Sequence, residues 1–282
     1  MAIEQKSKKV VAPTTEQKVK EGGMVEERIK FPTEIIDLPS KGYFYPEGHP
    51  LSEGKVEMKY MTAKEEDILT SQNLIKKGVA IDMLLKSLIV TPGVNYNDLT
   101  LGDKNAIMIA ARVLGYGKDY EFDMEDPDSG EQVRESVDLA LLDNKDVDYS
   151  VFKKGINEYG WELPTSKRKI TFKIMTHKDE QNVTQELKSM KKVTKRTGID
   201  PEITTRLKHV IASVDGNDDQ AFVRKFVDNE LLSRDSLALR NHIQTFTPDI
   251  DMDFIYTSVE GNEHDIAIPL TVEFFWPRSA WS

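Results

Sequence analysis

The chain has 282 residues with a formal net charge of −10, and 39% of them are hydrophobic and 30% charged. This composition predicts a folded core under a charged surface and excludes a chain that is disordered throughout, while the acidic balance argues against a general nucleic-acid binder. The sequence contains no cysteine, which excludes disulfides, thiolate zinc sites and cysteine nucleophiles.

The first predicted segment, residues 1–30, is a mildly basic tail without an apolar period. We expect a flexible tail, and a docking arm is the alternative. No apolar stretch typical of a signal peptide follows Met1. The most hydrophobic stretches, Ile81–Val90 and Ala106–Leu114, are shorter than the ~18–20 residues that span a bilayer, so we expect a soluble protein without a membrane contact.

Residues 31–118 are predicted to hold a strand-turn element followed by helices. A turn signal at Asp37–Gly42 precedes Tyr43–Tyr45, which is predicted as a short aromatic edge strand because Pro46 follows it. Lys55–Tyr60 alternates as a second strand.

Three helices follow in this segment. Thr62 opens the first, with Glu65 at the capping-box position. The second has an apolar face at helical spacing along Ile81–Ile89. Thr100 opens the third, with Asp103 at the capping-box position, and Gly115 is expected to end it.

Residues 119–175 are predicted as a β-rich insertion. Alternating apolar residues from Tyr120 to Met124 and over Val133–Leu139 flank the turn Asp126–Gly130, which predicts a hairpin with an acidic tip. Lys169–Met175 is a further period-2 strand.

Residues 176–282 are predicted as a helical region that ends in strands. Helices are expected from Thr176, from Asp200-Pro201, and around Phe222–Val227 and Leu237–Ile243; strands are expected at Asp249–Thr257 and Ile266–Phe274. The fold class is therefore α+β: a helical body with short N-terminal strands, a small β-hairpin insertion and C-terminal strands.

The patterns predict no catalytic, cofactor-binding or metal-binding residue, and so no enzyme. Asp249, Asp251 and Asp253 alternate as on a solvated strand face, and the acidic tip lacks the glutamate of a calcium loop. None of the five histidines has a second ligand at metal-site spacing. The helix from Thr176 is rich in lysine, which is typical of a solvated helix end. Contact to an acidic partner is the alternative, and nucleic acid comes third.

Several blocks resemble the baseplate hub assembly family of T-even-type contractile phages. The resemblance covers roughly residues 35–277, and its blocks are Ile36–Pro46, Met58–Asp67, Gly102–Ala106, Gly115–Gly117, Leu163-Pro164, Thr176–Glu180 and Phe274–Pro277. Some relatives carry paired cysteines at the acidic hairpin, which suggests a zinc knuckle; Asp126–Gly130 stands there in this chain.

The resemblance implies a non-enzymatic phage tail protein that forms the central hub of the baseplate, or helps to assemble it, through protein–protein contacts. The alternative is a transient tail-assembly chaperone that is absent from the finished virion. Implied partners are other baseplate or tail proteins, with the tape measure protein as one candidate and an oligomer left open. No specific nucleic acid is expected. The implied location is the virion tail baseplate, or the host cytoplasm during assembly.

Two aromatic clusters are the candidate protein-interface residues. They are Tyr43, Phe44 and Tyr45 near the beginning of the chain and Phe274, Phe275 and Trp276 near its end. Short edge strands next to prolines can accept a partner's backbone, and aromatic side chains often anchor interfaces. The alternative is that both clusters belong to the core.

The purified protein is expected to hold no stoichiometric metal, because cysteine and any spaced ligand set around the histidines are absent from the sequence. Elemental analysis after dialysis checks this. About one zinc or calcium ion per chain would contradict it.

Overall fold

The first elements of the described chain are two strands joined by a loop of tight turns. The computed structural model describes residues 32–270 and 272–275. Strand β1 (Thr33–Asp37) pairs antiparallel with β2 (Lys55–Lys59). The predicted edge strand at Tyr43–Tyr45 is wrong: consecutive turns occupy this segment. Lys41 and Gly42 both have positive φ, which reverses the chain just before the aromatic residues.

Eight α-helices lie among the described residues, and their order follows the sequence patterns closely. They are α1 (Ala63–Thr70), α2 (Gln72–Lys77), α3 (Ala80–Leu88), α4 (Leu101–Tyr116), α5 (His177–Thr197), α6 (Glu202–Val210), α7 (Gln220–Asn229) and α8 (Ser233–Phe246). Gly115 lies inside α4 and does not end it; Gly117 provides the C-cap. A Cβ at position 115 would lie 2.3 Å from the Met61 side chain, so this glycine makes room for a close contact.

The remaining strands form three small antiparallel sheets. Hairpin β3 (Asp119–Glu125) and β4 (Gln132–Asp138) confirms the predicted acidic hairpin. Strands β5 (Tyr159–Glu162), β6 (Lys169–Phe172) and β7 (Ile211–Val214) form a sheet in that order. Strands β8 (Asp253–Thr257) and β9 (Glu263–Ala267) form a second hairpin, and a 3-10 turn follows at Val272–Phe275, where the sequence predicted strand.

Two large apolar clusters fill most of the interior, and a third, small one joins Phe44, Phe152 and Ile174. The combination of helices with small antiparallel sheets confirms the α+β class. The larger combines side chains from β2, α1, α3, α4 and β3 with Phe274 and Phe275. The smaller lies between the β5-β6-β7 sheet and helices α6, α7 and α8.

All described residues belong to one compact unit. The segment boundaries at residues 118 and 175 stay predictions, and the pairing of β6 with β7 crosses the second; the predicted tail, residues 1–30, lies outside the described residues.

No helix in the described ranges is both long and apolar enough to cross a membrane.

A buried carboxylate ties the loop after β1 to the beginning of α4. Asp103 is fully buried, and its carboxylate accepts hydrogen bonds from the Ser40 amide (2.9 Å) and from the Tyr45 hydroxyl (2.5 Å). The Thr100 hydroxyl accepts from the Asp103 amide, as predicted, but Asp103 does not complete the capping box. The Thr100 amide instead donates to the Tyr45 hydroxyl oxygen at 3.1 Å. The Tyr45 hydroxyl thus accepts the hydrogen bond from the Thr100 amide that the Asp103 carboxylate would accept in a capping box, because the loop residues Ser40 and Tyr45 occupy that carboxylate.

Tyr45→Phe should lower the free energy of unfolding by about 1–3 kcal/mol, because Asp103 loses a donor and Thr100 an acceptor in a buried site. The expected fall in Tm is roughly 2–10 °C. The matched control is Tyr43→Phe, because the Tyr43 hydroxyl donates no hydrogen bond to any described residue and the ring stays in place. Equal melting temperatures for the two variants would contradict the assigned role of the Tyr45 hydroxyl.

Candidate functional site

The N-terminal aromatic cluster lies largely inside the protein. Phe44 and Tyr45 are buried and Tyr43 is half-buried. Phe44 packs edge-on against Phe152 with ring centroids 5.0 Å apart, and Tyr43 lies 6.0 Å from the same ring. This placement favours the core role for these residues, because a partner would not reach Phe44 or Tyr45.

The C-terminal pair is buried as well. Phe274 and Phe275 are each 1% exposed and belong to the larger core cluster, which also contains Tyr45. The Phe274 ring meets Tyr120 edge-on at 5.0 Å. Trp276, the third member of the predicted cluster, lies outside the described residues. Burial of the pair again favours the core role.

The acidic tip of the β3–β4 hairpin acts as a hydrogen-bond acceptor. Asp126 accepts from the Ser129 amide (2.8 Å) and from the Tyr256 hydroxyl (2.7 Å), and these bonds hold its pKa well below the usual range. Asp128 accepts from the Ser258 hydroxyl and from Asn262, with a lowered pKa from the same cause. The tip is therefore joined to the turn of the β8–β9 hairpin.

The aspartates near residue 250 do not share a strand face, because β8 begins only at Asp253. Asp249 instead accepts two hydrogen bonds from the Asn105 side chain, at 3.0 and 3.2 Å, and desolvation raises its pKa. Within the described residues, no three histidine or acidic side chains are grouped so that they could hold a metal ion.

His177 is the most deeply buried of the histidines and joins three helices. Its Nε2 lies 3.4 Å from an Asp82 carboxylate oxygen on α3, and its Nδ1 lies 3.3 Å from the Lys104 Nζ on α4. The Tyr96 ring packs edge-on against it at 4.6 Å. Desolvation, together with the nearby Lys104 charge, lowers the pKa of His177. This cluster was not predicted from local sequence patterns, because Asp82, Lys104 and His177 are distant along the chain.

Two acidic side chains fasten the first half of α5 to its neighbours. Glu180 accepts two hydrogen bonds from Arg206 on α6, at 2.7 and 2.9 Å. Glu186 accepts two from Arg224 on α7, at 2.7 and 2.8 Å, and one contact from His209. The Arg224 hydrogen bonds lower the pKa of Glu186 to about 2. Glu180 and Glu186 are thus both used in fixing the helix.

The second half of α5 carries only positive charge. Residues 187–197 contain five basic residues and no acidic one. Lys188, Lys191 and Lys195 follow helical spacing along one exposed face, and none of them forms an ion pair with a described residue. We call these three residues the lysine face. The positive charge of the lysine face contrasts with the net charge of −10 of the whole chain.

A groove of about 630 Å³ runs between the lysine face and the beginning of α6. Leu187 contributes an apolar wall, and Asp200, Glu202 and Arg206 line the opposite side, where Glu202 accepts a hydrogen bond from Arg206 at 3.1 Å. Two large apolar side chains are exposed at the beginning of α6 and just before it, Ile199 (70%) and Ile203 (48%). Lysines without an ion-pair partner among the described residues, next to exposed isoleucines, suit an acidic protein segment with some apolar side chains.

No family model matches the chain, and searches of curated proteins and of solved structures likewise find no match.

Stability should fall as the pH falls from about 7 to 5. Because the pKa of His177 is lowered from 6.5 in the folded chain, the unfolded chain binds the proton first. The loss is at most ~1.4 kcal/mol per pH unit for this residue. Burial of His242 acts in the same direction, so His177→Gln should remove part of the slope while keeping an acceptor for Lys104.

Urea denaturation of both proteins at several pH values between 5 and 7 measures this slope. An unchanged slope in His177→Gln would show that the histidine titrates in the same way in both states.

Proposed function

We propose that this chain is a non-enzymatic assembly protein of a contractile-tailed phage, which forms or helps to build the central hub of the baseplate through protein–protein contacts. The observation that carries the proposal is the lysine face of α5 beside its groove. It is a preformed positive surface on an acidic chain, without ion-pair partners among the described residues. Such a surface steers an acidic partner into contact.

The position of the residues that carry the resemblance also supports it. Ser40 and Tyr45 from the first block contact Asp103 from a later block, at 2.9 and 2.5 Å. Lys104 meets His177 from the Thr176–Glu180 block. Three separate pieces of sequence thus meet at the beginning of α4 or beside it. Their residues are needed to hold this junction together, which is what a shared architecture requires.

A glycine in these blocks has the same kind of explanation. A Cβ on Gly102 would lie 2.1 Å from the Pro248 carbonyl oxygen, so only glycine allows the chain before β8 to cross α4 here. Packing and hydrogen bonding therefore account for these residues of three blocks without any chemical step. This agrees with a structural, non-catalytic role.

Reversing the charge of the lysine face should weaken assembly while leaving the fold intact. A phage in which this gene is disrupted is complemented with the variant Lys188→Glu, Lys191→Glu, Lys195→Glu. The expected result is a yield of complete tails lower by about ten- to a hundredfold, because several favourable charge contacts become repulsive. The matched control, Lys64→Glu, Lys76→Glu, Lys77→Glu, makes the same charge change on α1 and α2 and should complement normally.

Electron microscopy counts complete tails, and mass spectrometry of purified particles distinguishes a hub component from a chaperone that leaves. Normal tails from a phage that lacks the protein altogether would refute the proposed function. Normal tails from the α5 variant alone would refute only the assigned surface.

A further inference from the structure

Strand β5 is an edge strand whose outer side is open. The sheet order is β5-β6-β7, and among the described strands only β6 pairs with β5. The Leu163 amide donates to the Arg168 carbonyl at 2.9 Å, which places the backbone groups of Leu163 towards the β6 side. Hydrogen bonding alternates along an antiparallel strand. The N–H and C=O groups of Gly160 and Glu162 therefore face away from the sheet.

An aromatic groove of about 440 Å³ lies against β5 on the core-facing side of the sheet. Trp161 forms one wall, and its ring stacks on His242 with centroids 4.7 Å apart and planes 5° apart. Phe246 contributes to the same lining, and Val151 and Ile156 are about half exposed at 47% and 46%. The groove can therefore take a large apolar side chain.

A second cavity of about 370 Å³ lies along β5 on the opposite, polar face. Thr171 and Ser213 line it and hydrogen-bond to each other at 2.7 Å. A Cβ on Gly160 would meet no atom within 4 Å, so the strand is open here. Gly160 and Trp161 line both cavities. An added strand directs alternate side chains to the two faces of a sheet, and both faces have room at this edge.

We propose that β5 binds an extended segment of a partner protein, which pairs with Gly160 and Glu162 as a fourth strand of the sheet. Backbone hydrogen bonds would supply affinity, and the two cavities would select an apolar side chain on one face and a small or polar one on the other. Lys153 lines the aromatic groove, Lys154 follows it, and neither forms an ion pair with a described residue. The Glu158 carboxylate in the same lining accepts a hydrogen bond from the Thr171 hydroxyl at 2.6 Å. The fitting segment is therefore acidic at one end.

This site is separate from the lysine face and does not depend on the proposed role in a baseplate. Its test uses the purified full-length chain and a synthetic peptide. The probe is a ten-residue peptide that alternates valine or phenylalanine with threonine and carries two aspartates at one end. The comparison peptides have lysines in place of the aspartates, or a proline at the centre. Fluorescence polarisation measures binding, and the acidic peptide should bind at least about tenfold more tightly than either.

Two variants close the edge by different means. Gly160→Pro removes an amide that faces away from β6, so the existing sheet keeps its hydrogen bonds. Gly160→Lys places a charge on the open edge, where a side chain has room. Both should weaken binding of the acidic peptide by about tenfold or more. Ile255→Lys, at a 68% exposed position of β8, is the control for an added lysine and should bind normally.

Amide hydrogen exchange gives an independent measurement. The amides of Gly160 and Glu162 should exchange rapidly in the free protein and become protected when the acidic peptide is bound. The triple-glutamate variant of α5 should bind this peptide as the unmodified chain does. Three results would each overturn the proposal: no binding of the acidic peptide at about 1 mM, binding that survives both Gly160 substitutions, or pairing of β5 between two copies of the chain in its place.

Discussion

The fold depends on one carboxylate that has been removed from water. Asp103 lies in the first turn of α4, and desolvation raises its pKa even though donors surround it. A buried carboxylate without donors would cost several kcal/mol, so the loop that supplies Ser40 and Tyr45 must lie against α4 for the helix to be buried at all. The beginning of α4 also contacts the chain that leads into α5. The Leu101 amide donates to the Met175 carbonyl, and the His177 amide donates to the Leu99 carbonyl.

Local sequence patterns predicted those helices and strands whose formation depends on residues close together in the chain. The apolar face of α3, the capping box of Thr62 and Glu65 and the alternation along β3 all appear in the structure. The strand prediction for Tyr43–Tyr45 was wrong although aromatic residues favour strands. The hydrogen bond from Tyr45 to the distant Asp103 and the positive φ values of the two preceding residues place this segment in turns instead. β5 escaped prediction because it has four residues, one of them glycine, and is defined by its pairing with β6.

The two candidate binding surfaces, the lysine face with its groove and the open edge of β5, also differ in how much of each can be predicted from sequence. Sequence shows the lysine face, because helical spacing fixes which side chains share a side of α5. It cannot show the groove, which needs α6 alongside, or the open edge of β5, which depends on which strand it pairs with. The two surfaces would respond differently to salt. Exposed charges are screened over ~8 Å at physiological ionic strength, whereas backbone pairing at a sheet edge is not.

The joined hairpins constrain the order in which the protein can fold. The bond from Tyr256 to Asp126 spans 130 residues of chain, and His264 reaches Asp128 across 136. At ~5–20 residues per second, a ribosome needs roughly 7–27 s to make the second hairpin after the first. During that interval, the tip carboxylates have only local and solvent partners, so the junction closes late, after the helices between the two hairpins have been made.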